Sequence, residues 1–171
     1  MSLIKKKNIP FILLVLFIIC EIVYTSFVFW DVKQGFYLDE VWCYALSNSY
    51  YRPFFQLENT VSTLDDEEYK YAHTEHFREW VDGKELNDYI TVQRGERFRY
   101  DSVYYNQYLN HHPPLYYMIL HTISSFFPDK FSFWYAFIIN IAALIFAQFF
   151  LFKLTSSITG NEYAGLIASI F

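Results

Sequence analysis

The sequence has little cysteine, and its two cysteines do not suggest a disulfide bond. Cys20 lies inside an apolar run and Cys43 lies beyond that run, so the two thiols are expected at different depths. A fold stabilised by disulfides is therefore excluded, and any folded part must be held by packing against helices or the membrane. The sequence also has no internal repeat and no low-complexity tract, which excludes repeat architectures.

Positive charge is scarce as well. The chain has 13 Lys and Arg residues against 18 Asp and Glu residues, a formal net charge of −5. Almost all the acidic residues fall between Asp31 and Asp101, whereas the extreme N-terminus carries Lys5, Lys6 and Lys7. A chain partitioned in this way is neither a nucleic-acid binder nor a disordered acidic tail.

Aromatic residues, in contrast, are abundant. Phe, Tyr and Trp make up 23% of the residues, well above ordinary globular usage. Aromatic rings are enriched where a protein meets lipid headgroups. The composition therefore indicates a protein that is in contact with a membrane over much of its surface.

Residues 9–30 form the first candidate membrane span. This stretch is apolar apart from Glu21 and a few hydroxyl residues, and roughly 20 helical residues cover a hydrocarbon core of about 30 Å. A cleaved signal peptide is the less favoured alternative, because its apolar region would be about 7–15 residues long. Here the run is longer and ends in the aromatic residues Phe27, Phe29 and Trp30. The lysine cluster in residues 1–8 predicts a cytoplasmic N-terminus by the positive-inside rule.

Residues 131–152 form the second candidate span. We predict a cytoplasmic turn at 153–161, and the apolar residues 162–171 are interpreted as the start of a truncated third span. The chain is therefore predicted to be an N-terminal fragment of an all-α polytopic membrane protein in the plasma membrane. Residues 31–130 then form a large first outer loop on the outside of the cell.

Three segments of this loop are predicted to be interfacial helices, at 38–49, 62–80 and 113–127. The first has an apolar stripe at helical spacing that we expect to lie on the membrane surface. The second begins with possible caps and four acidic residues, which favour a helix N-terminus. The third follows two prolines and is too short to span, so it is predicted to be re-entrant or interfacial. The tyrosine-rich stretch 88–107 is interpreted as short extended pieces.

The adjacent carboxylates Asp39 and Glu40 are the first candidate site. Acids at a helix N-terminus are stabilised by the helix dipole, and this structural role is slightly favoured when the pair is considered alone. A pair of acids held at the membrane surface also suits a general base, or a divalent cation that binds a phosphate.

The histidines His111 and His112, which precede Pro113-Pro114, are the second candidate site. A histidine at this position can bond a phosphate oxygen or transfer a proton near neutral pH. The structural alternative is that His112 caps the following helix. The spacing alone favours neither role.

Two further groups of charged residues need an explanation. Glu21 lies near the middle of a span, where a charge costs at least about 2.5–3.5 kcal/mol, so we expect it to pack against helices missing from this sequence or to be protonated. Arg94, Arg97 and Arg99 cluster with tyrosines 100, 104 and 105. A solvated loop face is the favoured interpretation of that cluster, and a phosphate clamp or sugar-stacking surface is the alternative.

The order of these features resembles the N-terminal region of the GT-C glycosyltransferases. It is most similar to the bacterial branch related to protein O-mannosyltransferases and to the aminoarabinose transferase of lipid A, that is, to glycosyltransferase family 39. Two motifs carry this resemblance, 39–49 (DEVWCYALSNS) and 112–121 (HPPLYYMILH). One position departs from the pattern, because Asn110 stands where many relatives carry an acidic residue.

The resemblance implies sugar transfer from a polyprenyl-phosphate carrier to an acceptor on the outer face of the membrane. Asp39 matches the catalytic base of the family, and Glu40 is expected to hold the acceptor or to orient Asp39. His112 matches a residue near the donor phosphate. The remaining residues assigned to substrate binding are His111, Arg97, Arg99 and Tyr116.

The implied partners are the lipid-linked sugar, membrane lipid and an acceptor of unknown class, with no nucleic acid. No cofactor is predicted, and a divalent cation is left open. Because the remaining spans that complete the donor site are absent from this sequence, the fragment is not expected to turn over alone. The alternative function is a non-catalytic membrane protein, or a remnant, whose outer loop binds a ligand or partner.

Overall fold

A computed structural model describes residues 9–53 and 82–170, which contain α-helices and no strand. The predicted helix at 62–80 lies outside the described residues. A short 3₁₀ turn occupies Arg94–Glu96. The helices in chain order are α1 (Ile9–Val32), α2 (Leu38–Asn48), α3 (Gly83–Ile90), α4 (Tyr100–Asn110), α5 (Leu115–Phe126), α6 (Trp134–Thr159) and α7 (Glu162–Ile170).

The described residues divide into two compact units. We call residues 9–35 and 137–170 the membrane unit, and residues 36–53 and 82–136 the loop unit. The prediction of an all-helical chain is therefore confirmed for the described residues. Helices were also correctly predicted at α2 and α5.

Among the described helices, two, α1 and α6, are long and apolar enough to cross a membrane. They have 24 and 26 residues, which at 1.5 Å per residue give lengths of about 36 and 39 Å, more than the ~30 Å of hydrocarbon. Only 6% of the most apolar window of α1 is buried inside the protein, whereas the core helix of a soluble protein would be mostly buried. The length, the composition and the exposure of α1 all suit a membrane protein.

The second span is longer than its sequence predicted. Helix α6 continues through Thr159, so the turn predicted at 153–161 was wrong apart from its last two residues. Hydroxyl residues that suggested a turn are accommodated in the helix, since the Thr159 hydroxyl donates to the Thr155 carbonyl at 2.7 Å. The chain then reverses at Gly160, whose φ of +65° is a conformation that favours glycine.

Glu21 has a polar partner inside the membrane unit. Gln148 of α6 donates from Nε2 to the Glu21 carboxylate at 2.7 Å, and the Gln148 side chain is almost completely buried. A buried apolar cluster of Leu14, Phe152 and Leu166 joins α1, α6 and α7. The prediction that Glu21 packs against a helix missing from this sequence was therefore wrong for this bond, because its partner Gln148 lies on α6 of the same chain.

We expect the Glu21–Gln148 bond to couple α1 and α6 energetically. In a double-mutant cycle of Glu21→Leu and Gln148→Leu, the coupling free energy should be about 0.6 kcal/mol and at most about 1.7 kcal/mol, the range for interhelical hydrogen bonds in membranes. Reversible unfolding in mixed micelles would measure it. Glu21→Gln, which keeps a hydrogen-bonding amide, is the matched control and should lose less stability than Glu21→Leu. Strictly additive effects would mean that the bond does not stabilise the unit.

In the loop unit, protein buries the C-terminal half of the apolar stripe of α2. Leu38 at its start is 66% exposed, but Ala45 and Leu46 are completely buried. Leu46 packs with Val103 of α4 and Tyr117 of α5. The predicted membrane-surface position of this stripe was therefore wrong for its C-terminal half, because α4 and α5 return to cover it.

Helix α4 replaces the extended pieces predicted for part of 88–107. Its buried face contains Ser102, Asn106 and Gln107, whereas Tyr104 and Tyr108 are exposed. This pattern is the reverse of an ordinary amphipathic helix. The apolar periodicity that normally identifies a helix was consequently absent from the sequence.

The buried polar face of α4 satisfies the free end of α2. The last carbonyls of a helix have no partner within the helix, and α2 has no glycine cap. Gln107 Nε2 donates to the Leu46 carbonyl at 3.1 Å, and Asn106 Nδ2 donates to the Ser49 carbonyl at 2.8 Å. These bonds fix α2, and with it the acidic pair at its other end.

Candidate functional site

The acidic pair occupies the first turn of α2, where its two members differ in their bonding. The backbone N–H of Tyr37 donates to Glu40 Oε2 at 3.1 Å, the return bond of a capping box. Asp39 is exposed, and no residue in the described ranges forms a hydrogen bond or ion pair with its carboxylate. Glu40 therefore contributes to helix capping, while the Asp39 carboxylate is held at the positive end of α2 and is accessible to a ligand.

His111 has a backbone role in the structure. It follows the last residue of α4 in the left-handed conformation, with φ of +58°, and its N–H donates to the Gln107 carbonyl. The N–H of His112 reaches the same carbonyl at 3.2 Å. Together these bonds form a Schellman-type helix end, in which glycine is the usual left-handed residue.

The His112 ring is oriented by Asn110. Nδ1 of His112 lies 2.8 Å from the Asn110 amide nitrogen and 2.9 Å from the Asn110 carbonyl oxygen. The tautomer of His112 decides which of these two bonds Nδ1 forms. In both tautomers the other ring nitrogen, Nε2, has no partner among the described residues. The N-cap of α5 is Pro114 and has no side-chain bond, so the predicted capping role of His112 was wrong.

Tyr117 joins the two sequence motifs. Its side chain belongs to the apolar cluster against which Cys43 of α2 packs, and its ring lies edge-on to the His112 ring with 6.0 Å between centroids. Burial raises the pKa of Tyr117 to about 12, with further contributions from Cys43 and Tyr116. Burial likewise raises the pKa of the Cys43 thiol, so Cys43 is a neutral packing residue at physiological pH.

Tyr116 lies beside this connection. Its ring is edge-on to Tyr117 at 5.7 Å, and it packs against the cluster of Leu46, Val103 and Tyr117. The sequence assigned Tyr116 to substrate binding. In the structure Tyr116 also has a packing role, because it supports the cluster in which the two motifs meet.

Arg99 lies at the other end of α4 and is already paired. Its Nε and Nη2 donate to the two oxygens of Asp101 at 3.0 and 2.7 Å, and its guanidinium lies over the Tyr50 ring. The Arg99 bonds, and then the Tyr51 hydroxyl, hold the pKa of Asp101 well below its usual range. Arg99 therefore has a local charge partner.

Arg97 is anchored next to Arg99. Its Nε donates to the Ser125 carbonyl at 2.6 Å, and its guanidinium lies 5.2 Å from the centre of the Phe98 ring. The 11 residues of α4 separate these arginines from His112, a distance of about 16 Å along the helix. The structure thus brings the two motifs together and leaves the arginines at the opposite end of α4.

His121 was not assigned a role from the sequence, although it ends the second motif. It is buried, its Nδ1 lies 2.8 Å from the Ser47 carbonyl, and its Nε2 accepts the Arg99 N–H at 3.0 Å. These bonds require a neutral ring with the proton on Nδ1. Burial lowers the pKa of His121, in agreement with that state. His121 follows Tyr117 by four residues, so both lie on the inner face of α5. This spacing is the feature of the sequence that could have indicated a buried His121.

No group of three or more His, Cys, Asp or Glu side chains suited to a metal ion occurs in residues 9–53 and 82–170. Comparison with known proteins gave no match to any family model, curated protein or solved structure.

Proposed function

We propose that this chain is the N-terminal part of a membrane glycosyltransferase of the GT-C type. The reaction is transfer of a sugar from a polyprenyl-phosphate carrier to an acceptor hydroxyl at the outer membrane surface. In this topology the N-terminus is cytoplasmic and residues 31–130 lie outside the cell, in accordance with the lysines at positions 5–7.

The observation that carries the proposal is the joining of the two motifs through Tyr117. Residues about seventy positions apart in sequence meet because Tyr117 belongs to the cluster against which Cys43 packs and its ring also contacts His112. Asp39 lies one helical turn before Cys43, and its charge contributes to raising the pKa of that thiol. An exposed carboxylate in the first motif and an exposed imidazole in the second suit a reaction that needs both a base and a phosphate partner.

In the proposed reaction, the acceptor oxygen attacks the anomeric carbon while the bond from that carbon to the phosphate oxygen breaks. The acceptor proton passes to the Asp39 carboxylate, and polyprenyl phosphate leaves with its electron pair. The Nε2 atom of His112 faces the phosphate as a hydrogen-bond donor, strongest when the ring is protonated. A single displacement of this kind inverts the anomeric configuration and needs no covalent enzyme intermediate.

The second candidate is a non-catalytic membrane protein whose outer loop binds a ligand or partner. The bond from the Tyr37 N–H to Glu40 favours it, because this bond explains one member of the acidic pair by helix capping alone. Under this alternative, sugar transfer is absent and substitutions at Asp39 and His112 change no activity.

Substitution of the two adjacent histidines tests the proposal. We expect His112→Ala to lower sugar transfer by about 10²-fold or more, because the phosphate loses a charge-assisted donor. His111→Gly should retain transfer and stabilise the loop unit by about 1 kcal/mol, since glycine adopts the left-handed conformation without strain. The measurements are transfer of radiolabelled sugar from polyprenyl-phosphate donors, and thermal unfolding, with the longest reading frame that contains this sequence. Equal loss in both variants would contradict a specific role for His112.

A further inference from the structure

Two groups of Asn110 lie against the same atom of the His112 ring. The side-chain nitrogen Nδ2 is 2.8 Å from the ring atom Nδ1, and the backbone carbonyl oxygen is 2.9 Å from it. An amide N–H can only donate a hydrogen bond, whereas a carbonyl oxygen can only accept one. The two contacts therefore make opposite demands on Nδ1, and only one of them is a hydrogen bond at a time.

The amide contact favours one of the two neutral tautomers. When Nδ1 is bare, its lone pair accepts from Asn110 Nδ2, and the proton of the ring is on Nε2. When Nδ1 carries the proton, it donates to the Asn110 carbonyl but also meets the amide N–H, so that two donors are 2.8 Å apart. The amide is thus compatible with a proton on Nε2 and opposes a proton on Nδ1.

The two groups of Asn110 differ in their freedom to move. The carbonyl is fixed by the backbone at the end of α4, where His111 adopts the left-handed conformation. The Asn110 side chain is only partly buried, so its amide could turn away from the ring. Its nitrogen nevertheless faces Nδ1, an orientation that is favourable only when Nδ1 accepts.

We propose that Asn110 is a positioning residue that keeps a proton on Nε2 of His112 in both charge states of the ring. In the neutral ring the Asn110 amide donates to Nδ1, and in the protonated ring Nδ1 donates to the Asn110 carbonyl. Nε2 is then a hydrogen-bond donor whether or not the ring is charged. The inference rests on the proposed function, in which this donor binds the phosphate of the sugar carrier.

The surroundings of the His112 ring leave Asn110 as the residue to change. Tyr117 lies edge-on to the ring at 6.0 Å, and burial raises the pKa of Tyr117 to about 12, so its hydroxyl stays neutral. Within residues 9–53 and 82–170, neither His111 nor any charged side chain forms a hydrogen bond, ion pair or ring contact with this ring.

Asn110→Asp is the matched variant, because aspartate has nearly the same shape but two oxygens that only accept. It should favour a proton on Nδ1 and leave Nε2 of the neutral ring bare. Nitrogen NMR of the full chain in nanodiscs, with isotope-labelled histidine, distinguishes protonated from bare ring nitrogens, and His112→Ala identifies the His112 signals. At about pH 8.5, where an ordinary imidazole is neutral, we expect the proton on Nε2 in the wild type and on Nδ1 in the variant.

A proton on Nδ1 in the wild type, or the same tautomer in both proteins, would overturn the proposal. Asn110→Ala provides a second variant if Asn110→Asp does not fold. It keeps the backbone carbonyl and lacks the amide, so it should also shift the proton to Nδ1.

Sugar transfer at two pH values tests whether the reaction uses this proton. At about pH 6 the aspartate favours the protonated ring, which donates from both nitrogens, so Asn110→Asp should retain transfer. At about pH 8.5 its transfer should be about tenfold or more below that of the wild type, because the phosphate loses a donor. Equal transfer at the higher pH would overturn the role of Asn110 in the reaction. Absence of transfer in the wild type would contradict the proposed function instead, while the NMR tautomers would still decide what Asn110 does to the ring.

Discussion

Asp39→Asn should lower sugar transfer by about 10²–10⁴-fold while the loop unit stays folded, because an amide cannot accept the proton of the acceptor hydroxyl. The side chain is exposed and has no hydrogen-bond or ion-pair partner in the described part of the chain, so the substitution breaks no structural contact. The loss of helix-dipole stabilisation is about 0.3–1 kcal/mol. Transfer from a polyprenyl-phosphate donor and thermal unfolding, measured on the same preparation, separate the two effects.

Glu40→Gln is the matched control for this substitution. Glutamine keeps an oxygen that accepts the Tyr37 N–H, so α2 retains its capping bond while one charge is removed. We expect this variant to retain much more transfer than Asp39→Asn. If Glu40→Gln abolished transfer while Asp39→Asn remained active, Glu40 would be the base. Full activity in both variants would exclude both carboxylates as the base, whereas an absence of transfer in the wild type as well would support the non-catalytic alternative.

The sequence predicted what depends on local composition. The apolar stretches 9–30 and 131–152 predicted two spans because length and hydrophobicity alone decide whether a helix can cross a membrane. Helices α2 and α5 were predicted from an apolar stripe and from the proline pair that precedes α5. These signals lie within single segments and require no knowledge of their neighbours.

What the sequence missed depends on contacts between distant segments. Helix α4 was not recognised because its inner face is polar, and those polar groups are explained only by the carbonyls of α2 that they satisfy. In the same way, the stripe of α2 was assigned to the membrane surface although α4 and α5 cover its second half. The first error comes from a buried polar interface, and the second comes from the apolar packing of Leu46 against Val103 and Tyr117, which neither segment reveals by itself.

For the candidate site, too, the sequence indicated individual residues but not the contacts between them. Asp39, Glu40, His111 and His112 were identified from residue type and position, but their different bonding was not. The link through Cys43 and Tyr117 is a tertiary contact that neither motif reveals by itself. The arginines at 97 and 99 were close to the tyrosines in sequence, yet helix α4 carries them away from His112.

The buried ring of His121 is expected to be the most sensitive structural position in the loop unit. His121→Phe keeps an aromatic ring but leaves the Ser47 carbonyl and the Arg99 N–H without their partner. Each unsatisfied buried group costs about 1–3 kcal/mol, so the unfolding free energy should fall by about 2–6 kcal/mol. His121→Gln, whose amide offers both a donor and an acceptor, should be less destabilised. Equal stability of the two variants in denaturant unfolding would show that these hydrogen bonds are not important.

The same residue should make the stability of the loop unit depend on pH. Burial lowers the pKa of His121 in the folded state, although the bond to the Ser47 carbonyl and the charge of Asp101 oppose that shift, so the unfolded chain takes up the proton first as the pH falls. The stabilisation is complete above the unfolded pKa of about 6.5 and decreases below it, by at most about 1.4 kcal/mol per pH unit, until the pH passes the folded pKa. Protonation would also place an N–H at Nε2 against the Arg99 N–H, which disfavours the protonated ring in the same direction as burial. Unfolding of wild type and His121→Gln between pH 7.5 and about pH 5 isolates this effect. Identical pH profiles would exclude His121 as its source, whereas a steeper loss in the wild type would identify the buried imidazole that holds α2, α4 and α5 together.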